Sequence, residues 1–351
     1  MRALAVLTVR NEGAFLLEWL AHHKAVGFTD FLILSNDCQD GTDAILDRLQ
    51  DMGEIAHMPN DPPYDGGIQW AGLKKANKHP LVRQADWILT LDVDEFVNIH
   101  AGDHTLPALL AALPEAGAIP ITWKLFGNAG IDRFVDEPIT EQFTMAAPEQ
   151  MKWPWRAAMF KTLYRNDGTY GKLGVHRPRQ PDKTRLNEMR WFDGSGRELP
   201  AQIKTSRIFS NYHLENHNLV QLNHYPLGAK ESYLVKCDRG RAVHGRDVLG
   251  MDYWVERNFN TVKDSSIASL RPQMQAHLNA LKTDPVLSDL HGASVEWRRA
   301  RFAALLMDEE LRALYGRLLL TPSSQPLSKA DAQFMHEVGL KAQKTSSGSK
   351  T

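Results

Sequence analysis

The sequence predicts an α/β protein with a mostly parallel sheet flanked by helices and a helical C-terminal extension. Two observations carry this. Apolar strands alternate with amphipathic helices from Ala3 to Phe96, with polar clusters at the strands' carboxyl ends, and beyond Val262 the pattern turns to helices alone.

Ala3-Leu4-Ala5-Val6-Leu7-Thr8-Val9 reads as a buried strand that runs into Arg10-Asn11-Glu12 and a helix, where Phe15, Leu16, Trp19, Leu20 and His23 fall at helical spacing. Phe31-Leu32-Ile33-Leu34 is a second strand and breaks into Ser35-Asn36-Asp37-Cys38-Gln39-Asp40-Gly41-Thr42. A helix follows with Ile45, Leu46, Leu49 and Met52 as its apolar stripe, and Asp40 or Thr42 can cap it. Asp61 to Gly67 is a loop, and Gln69 to Lys78 reads as a helix. Asp86-Trp87-Ile88-Leu89-Thr90-Leu91 is then a strand that ends in Asp92-Val93-Asp94-Glu95-Phe96. Ligands of parallel sheets sit beyond the carboxyl ends of the strands, so Arg10-Asn11-Glu12, Asn36-Asp37 and Asp92-Val93-Asp94 converge on one rim.

Further along, a strand from Ile119 to Phe126 leads to Gly127-Asn128-Ala129-Gly130, a turn where backbone can approach a substrate closely. Met151-Lys152-Trp153-Pro154-Trp155-Arg156 is aromatic and basic; it suits either a packed surface loop or a platform on which Trp153 and Trp155 stack a sugar ring. The polar stretch from Arg177 to Arg207 reads as a long insertion over the site. Arg271 to Leu281 and Val295 to Leu320 are helix-like, Thr321 to Pro326 is a linker, a short helix follows Ser328, and Lys344 to Thr351 is too polar to pack and is expected to be mobile. The expected division is a main domain over 1–260, with halves 1–100 and 101–260, a helical extension over 261–320, and the linker, short helix and tail over 321–351.

With 351 residues, 43% of them hydrophobic, and a net charge of −1, the chain can bury a full core and shows no basic excess for nucleic acid or an anionic membrane surface. No leader is expected before the first strand, and no apolar run suits an integral membrane segment. Cys38 and Cys237 carry no metal-site spacing. A cytoplasmic setting, at most peripheral to an inner membrane, is expected.

Asp92 and Asp94 alternate at a strand end, which can hold two hard oxygen ligands on one side for a divalent cation. The same pair also fits a solvated acidic turn. Hard ligands favour Mn²⁺ or Mg²⁺.

In order and spacing, Asn11-Glu12, Glu18-Trp19-Leu20-Ala21-His22-His23, Asn36 to Thr42, Asp92-Val93-Asp94-Glu95-Phe96, Asn223-His224-Tyr225-Pro226-Leu227, Glu231-Ser232-Tyr233 and Lys236-Cys237-Asp238-Arg239-Gly240 resemble the family 2-like group of GT-A fold glycosyltransferases. The resemblance covers roughly residues 1 to 245. It implies a sugar transfer from a nucleoside-diphosphate sugar, a Mn²⁺ or Mg²⁺ ion, inversion, and a glycan, lipid-linked or protein acceptor.

By the same resemblance, Arg10, Asn11, Glu12, Asn36 and Asp37 form the nucleoside pocket, where uracil is favoured and guanine can also be satisfied. Gln69 lies near the nucleotide, and Asp92 and Val93 meet the donor. A histidine from the C-terminal half joins Asp92 and Asp94 on the metal, with His224 the first choice and His176, assigned to the acceptor side, the second. Lys236 and Arg239 suit diphosphate oxygens. The general base is sought among Asp132, Glu137 and Glu141, which follow the glycine turn, and Glu95, beside the metal; the sequence does not separate them. Two rival readings stand beside this one. Leu91-Asp92-Val93-Asp94 also resembles the nucleophile loop of haloacid-dehalogenase phosphohydrolases, although Glu95-Phe96 follow it, and a non-catalytic sugar-nucleotide-binding module would keep the fold without turnover.

Overall fold

The computed structural model describes residues 1–64, 66–239 and 249–348, and their side chains except those of 239 and 343–348. Eight strands form the main sheet: β1 (Ala3–Val9), β2 (Asp30–Ser35), β3 (Ala56–Pro59), β4 (Trp87–Leu91), β5 (Glu95–Ile99), β6 (Ala118–Leu125), β7 (Phe160–Arg165) and β8 (Val220–His224). Their order is β3-β2-β1-β4-β7-β6-β8-β5. β1 pairs in parallel with β2 and β4, β2 with β3, and β6 with β8; β7 runs antiparallel between β4 and β6, and β5 antiparallel to β8. The mostly parallel α/β sheet expected from the sequence is therefore present, with helices on it and a helical C-terminal part.

Register builds the site. Val9 pairs with Ser35 and Leu7 with Leu91, so the segments leaving β1, β2 and β4 emerge side by side. His224 pairs with Glu95 on one side and Leu125 on the other, which brings the end of β8 to the turn after β4.

Both faces of the sheet are covered, so its central strands are apolar without alternation. On one face, Leu16, Trp19 and Leu20 of α1 (Gly13–Val26) and Ile45, Leu46 and Leu49 of α2 (Thr42–Asp51) share a core with Leu7, Ile33 and Leu89. Gly27, at φ 107°, closes α1 in the left-handed conformation that only glycine adopts cheaply. On the other face, Leu4, Val6, Leu34 and Ile88 pack with Leu73 of α3 (Ile68–Ala76) and with Met189, Trp191 and Ile203. Those last three come from the stretch expected to lie over the site. Their apolar side chains instead hold it on the back of the sheet.

After α4 (Lys230–Arg239) come α5 (Arg271–Lys282), α6 (Pro285–Leu305), α7 (Glu309–Leu320) and α8 (Lys329–Gly348). The single helix expected over Val295 to Leu320 is two, because Asp308 accepts a hydrogen bond from the Leu311 amide and caps a new start. The helix after Ser328 is long rather than short, running to Gly348. Met274 and Leu278 of α5 lie in the same core as α1, and Arg48 pairs with Asp284 at the head of α6. The Gly127 turn approaches the chain itself: a Cβ there would stand 2.3 Å from Asn260 Oδ1 and 2.5 Å from the Phe259 carbonyl. Among the described residues no helix is long and apolar enough to cross a membrane.

Candidate functional site

A cavity of about 450 Å³ opens where the strand ends converge. Arg10 and Glu12 after β1, Asn36 after β2, and Asp92, Val93 and Asp94 after β4 line it, joined by Gln69 of α3, His224 of β8 and Lys236 of α4. A smaller lobe adjoins it and shares Glu12, Val93, Asp94 and Lys236, with Asn11 on its wall.

The turns that carry these groups use left-handed residues. Asn11 at φ 54° accepts from the Gln39 amide at 2.7 Å, and Asp37 at φ 47° accepts from the Tyr64 hydroxyl at 3.0 Å. Asn and Asp tolerate this conformation better than other residues with a Cβ, which is why the chain can bend at these two strand ends. Asp37 is exposed and lies beside Asn36, whose amide donates to it at 3.2 Å.

Asp92 and Asp94 have different partners. Asp92 Oδ2 lies 2.8 Å from the ammonium of Lys161, whose side chain is 0% exposed, and Asp92 Oδ1 accepts from Gln69 at 3.1 Å. Burial would raise the Asp92 carboxyl, but Lys161 outweighs it and holds the group below the usual carboxylate range. Asp94 Oδ2 accepts from Lys236 at 2.7 Å, while Asp94 Oδ1 faces His224 Nε2 at 3.7 Å. Burial pushes the His224 imidazole down to about 3, so it is neutral and offers a lone pair. His224 Nδ1 is buried with no hydrogen-bond partner.

These facts test the metal expectation. Among the described residues no three His, Cys, Asp or Glu side chains form a ready cation cage. Of the three expected ligands, Asp94 and the neutral His224 are brought together, and the donor set of one carboxylate and one imidazole fits a hard divalent ion completed by phosphate and water. Asp92 is drawn instead to Lys161 and Gln69.

The expected bases are not brought into the cavity. Glu95 is fully enclosed beneath it: Oε1 accepts from the Trp123 indole at 2.7 Å and Oε2 from the Asp92 amide at 2.8 Å. Burial pushes its carboxyl up to about 8 against the pull of Lys161. Asp132 pairs with Lys230 at 2.8 Å, Glu141 with Arg271, and Glu137 lines a separate cavity with Glu141 and Arg271. The glycine turn that they follow, where backbone was expected to approach a substrate, bends toward residues 258–260 instead.

His176 lines the cavity, neutral because burial and then Lys161 push it down to about 4; its Nδ1 lies 3.0 Å from the Phe160 carbonyl oxygen. Trp153 and Trp155 do not line it. Trp155 is exposed, edge-on to Phe209, and lies under the Arg156 guanidinium, which does reach the cavity. The aromatic wall is Trp123, 4.2 Å from the His224 ring and 5.8 Å from that of His176, with Trp70 as a further aromatic lining residue. Arg239 ends α4, and its side chain lies outside the described residues.

Sequence reasoning missed Lys161, Trp123, Arg156 and Arg257. Lys161 had a signal: a lysine next to Phe160 and just before Leu163 and Tyr164 must be paired if its strand is buried. Arg257, stacked 3.6 Å over the Tyr253 ring, had none.

No protein-family model matches the chain. Over 152 residues it is 26% identical to a glycosyltransferase family 92 protein of Oryza sativa subsp. japonica, covering 41% of this chain and 25% of that protein. A glycosyltransferase family 92 protein of Ricinus communis is 24% identical over 152 residues, covering 41% and 26%. The chain thus spans about a quarter of the length of these curated relatives. Among solved structures, S. aureus TarS 1-349 in complex with UDP-GlcNAc is similar at a TM-score of 0.34 and 15% identity, over 90% of this chain and 88% of that one. In sequence, the chain is similar to glycosyltransferases.

Proposed function

We propose that the protein is a glycosyltransferase that takes its sugar from a nucleoside-diphosphate donor, in the cytoplasm, and passes it with inversion to a glycan, lipid-linked or protein acceptor. One observation carries the reading: Arg10, Arg156, Lys236 and Arg257 line the strand-end cavity together with Asp92, Asp94 and His224. Such a wall suits a diphosphate, whose negative charge rises as it leaves. The similarity to glycosyltransferases supports it.

In this reading Asn11, Asn36 and Asp37 hold the nucleoside, with Asp37 accepting from the base, and uracil is preferred. Gln69 and Lys161 turn Asp92 toward the donor. The Trp123 face offers an apolar surface to a sugar ring. Lys236 and Arg257 take the charge of the departing diphosphate. A Mn²⁺ or Mg²⁺ ion, when bound, would be held by Asp94 and His224 and would supply Lewis-acid neutralisation of that charge. Inversion is proposed from the family resemblance, and it requires a base on the acceptor side.

A thermal-shift series with UDP and GDP, each with and without Mn²⁺, tests the reading, because a ligand of the folded state raises its apparent stability. UDP is expected to raise the melting temperature, and more with Mn²⁺. No shift with either nucleotide under either condition would refute the proposal.

A further inference from the structure

We infer that Lys161 and Glu95 form a buried bracket that positions Asp92 and Trp123 for the donor. The inference rests on the donor reading above and deepens it. Lys161 stands in β7, the antiparallel strand inserted beside β4, with no exposed side-chain surface. Its ammonium lies 2.8 Å from Asp92 and 3.4 Å from Glu95. Glu95 in turn accepts from both the Asp92 amide and the Trp123 indole. One carboxylate therefore ties the turn after β4 to the aromatic wall on β6, and one ammonium ties both to β7.

The geometry is that of a positioning unit. Neither Lys161 nor Glu95 lines the cavity, whereas Asp92 and Trp123 both do. A buried lysine is costly unless paired, and packing alone would be served as well by an apolar residue. What the Lys161 ammonium adds is direction: it engages Asp92 Oδ2 and leaves Oδ1 to Gln69 at the cavity wall.

The test uses Lys161→Met, Glu95→Gln and the double variant, each measured for melting temperature, for UDP and GDP affinity by calorimetry, and for the Trp123 indole N–H resonance, assigned with Trp123→Phe. Lys161→Met is expected to weaken nucleotide binding about tenfold or more and to move the Trp123 resonance. The double variant leaves Asp92 without its ammonium just as Lys161→Met does, so its affinity should stay as low as in that single variant. Unchanged affinity and an unmoved resonance in Lys161→Met would overturn the inference, as would wild-type affinity in the double variant. If Lys161→Met does not fold, wild-type affinity in the double variant overturns it. If the wild type binds neither nucleotide, the donor reading fails, and the resonance alone decides whether the bracket holds Trp123.

Discussion

At the residue scale, motifs that look alike in sequence divide into structure and chemistry. Glu18 stands in one of the motif blocks, yet its carboxylate accepts from the Ile139 and Thr140 amides and the Thr140 hydroxyl and so caps a short helix. Burial pushes it up to about 7. Its unfolded value is near 4.5, so the folded chain binds the extra proton between these limits; the stability this supplies is full below about 4.5 and lost as pH rises through about 7. Glu18→Gln should therefore flatten the melting temperature between pH 4.5 and 7, as scanning calorimetry can check. His22 and His23 of the same block are likewise structural, bonded to the Val97 and Trp19 carbonyls. Asp94 and His224 carry the metal proposal. Asp94→Asn should lower transfer by at least ~10²-fold, and His224→Ala should raise the Mn²⁺ needed for half-maximal activity while His176→Ala does not. A Mn²⁺ titration of both histidine variants decides it. Asp92 and Asp94 were legible because an apolar strand runs straight into alternating carboxylates; Lys161 showed only that it needed a partner, and the roles of Lys161 and Trp123 depend on which strands the fold places beside them.

At the element scale, the strand and helix order of the first hundred residues was legible from the sequence, since β1 and β2 are continuous apolar runs, α2 carries a clear stripe and α1 is buried nearly all round. Of the later segments, the strand over Ile119 to Phe126 and the helix over Arg271 to Leu281 were legible too, whereas β7 was not, because it pairs with strands far away in sequence. The linker shows the consequence. Read from sequence as a linker, it places Ser324 where its amide donates to the Asn258 carbonyl at 2.8 Å and its hydroxyl to the Val255 carbonyl at 2.6 Å, while Ser323 accepts from Asn260. The 258–260 segment in turn holds the Gly127 turn. A chain ending at Pro326 should keep its melting temperature, whereas one ending at Leu320 should lose several degrees, about 1–2 kcal/mol for the lost hydrogen bonds. Equal melting of the two truncations would contradict this.

At the scale of the whole molecule, the account depends on one convergence. Parallel strands deliver Arg10, Asn36 and Asp92 to a common rim, the strand pairing of β8 brings His224 there, and arginines from distant loops complete the wall. The central claim is that this wall binds a diphosphate, so the phosphates and not the nucleoside alone should supply most of the affinity. Calorimetric titration of UDP and of uridine into the wild-type protein at one ionic strength tests this most directly. UDP is expected to bind at least about tenfold tighter than uridine, a difference of about 1.4 kcal/mol or more. Equal binding of the two, or no binding of either, would contradict it.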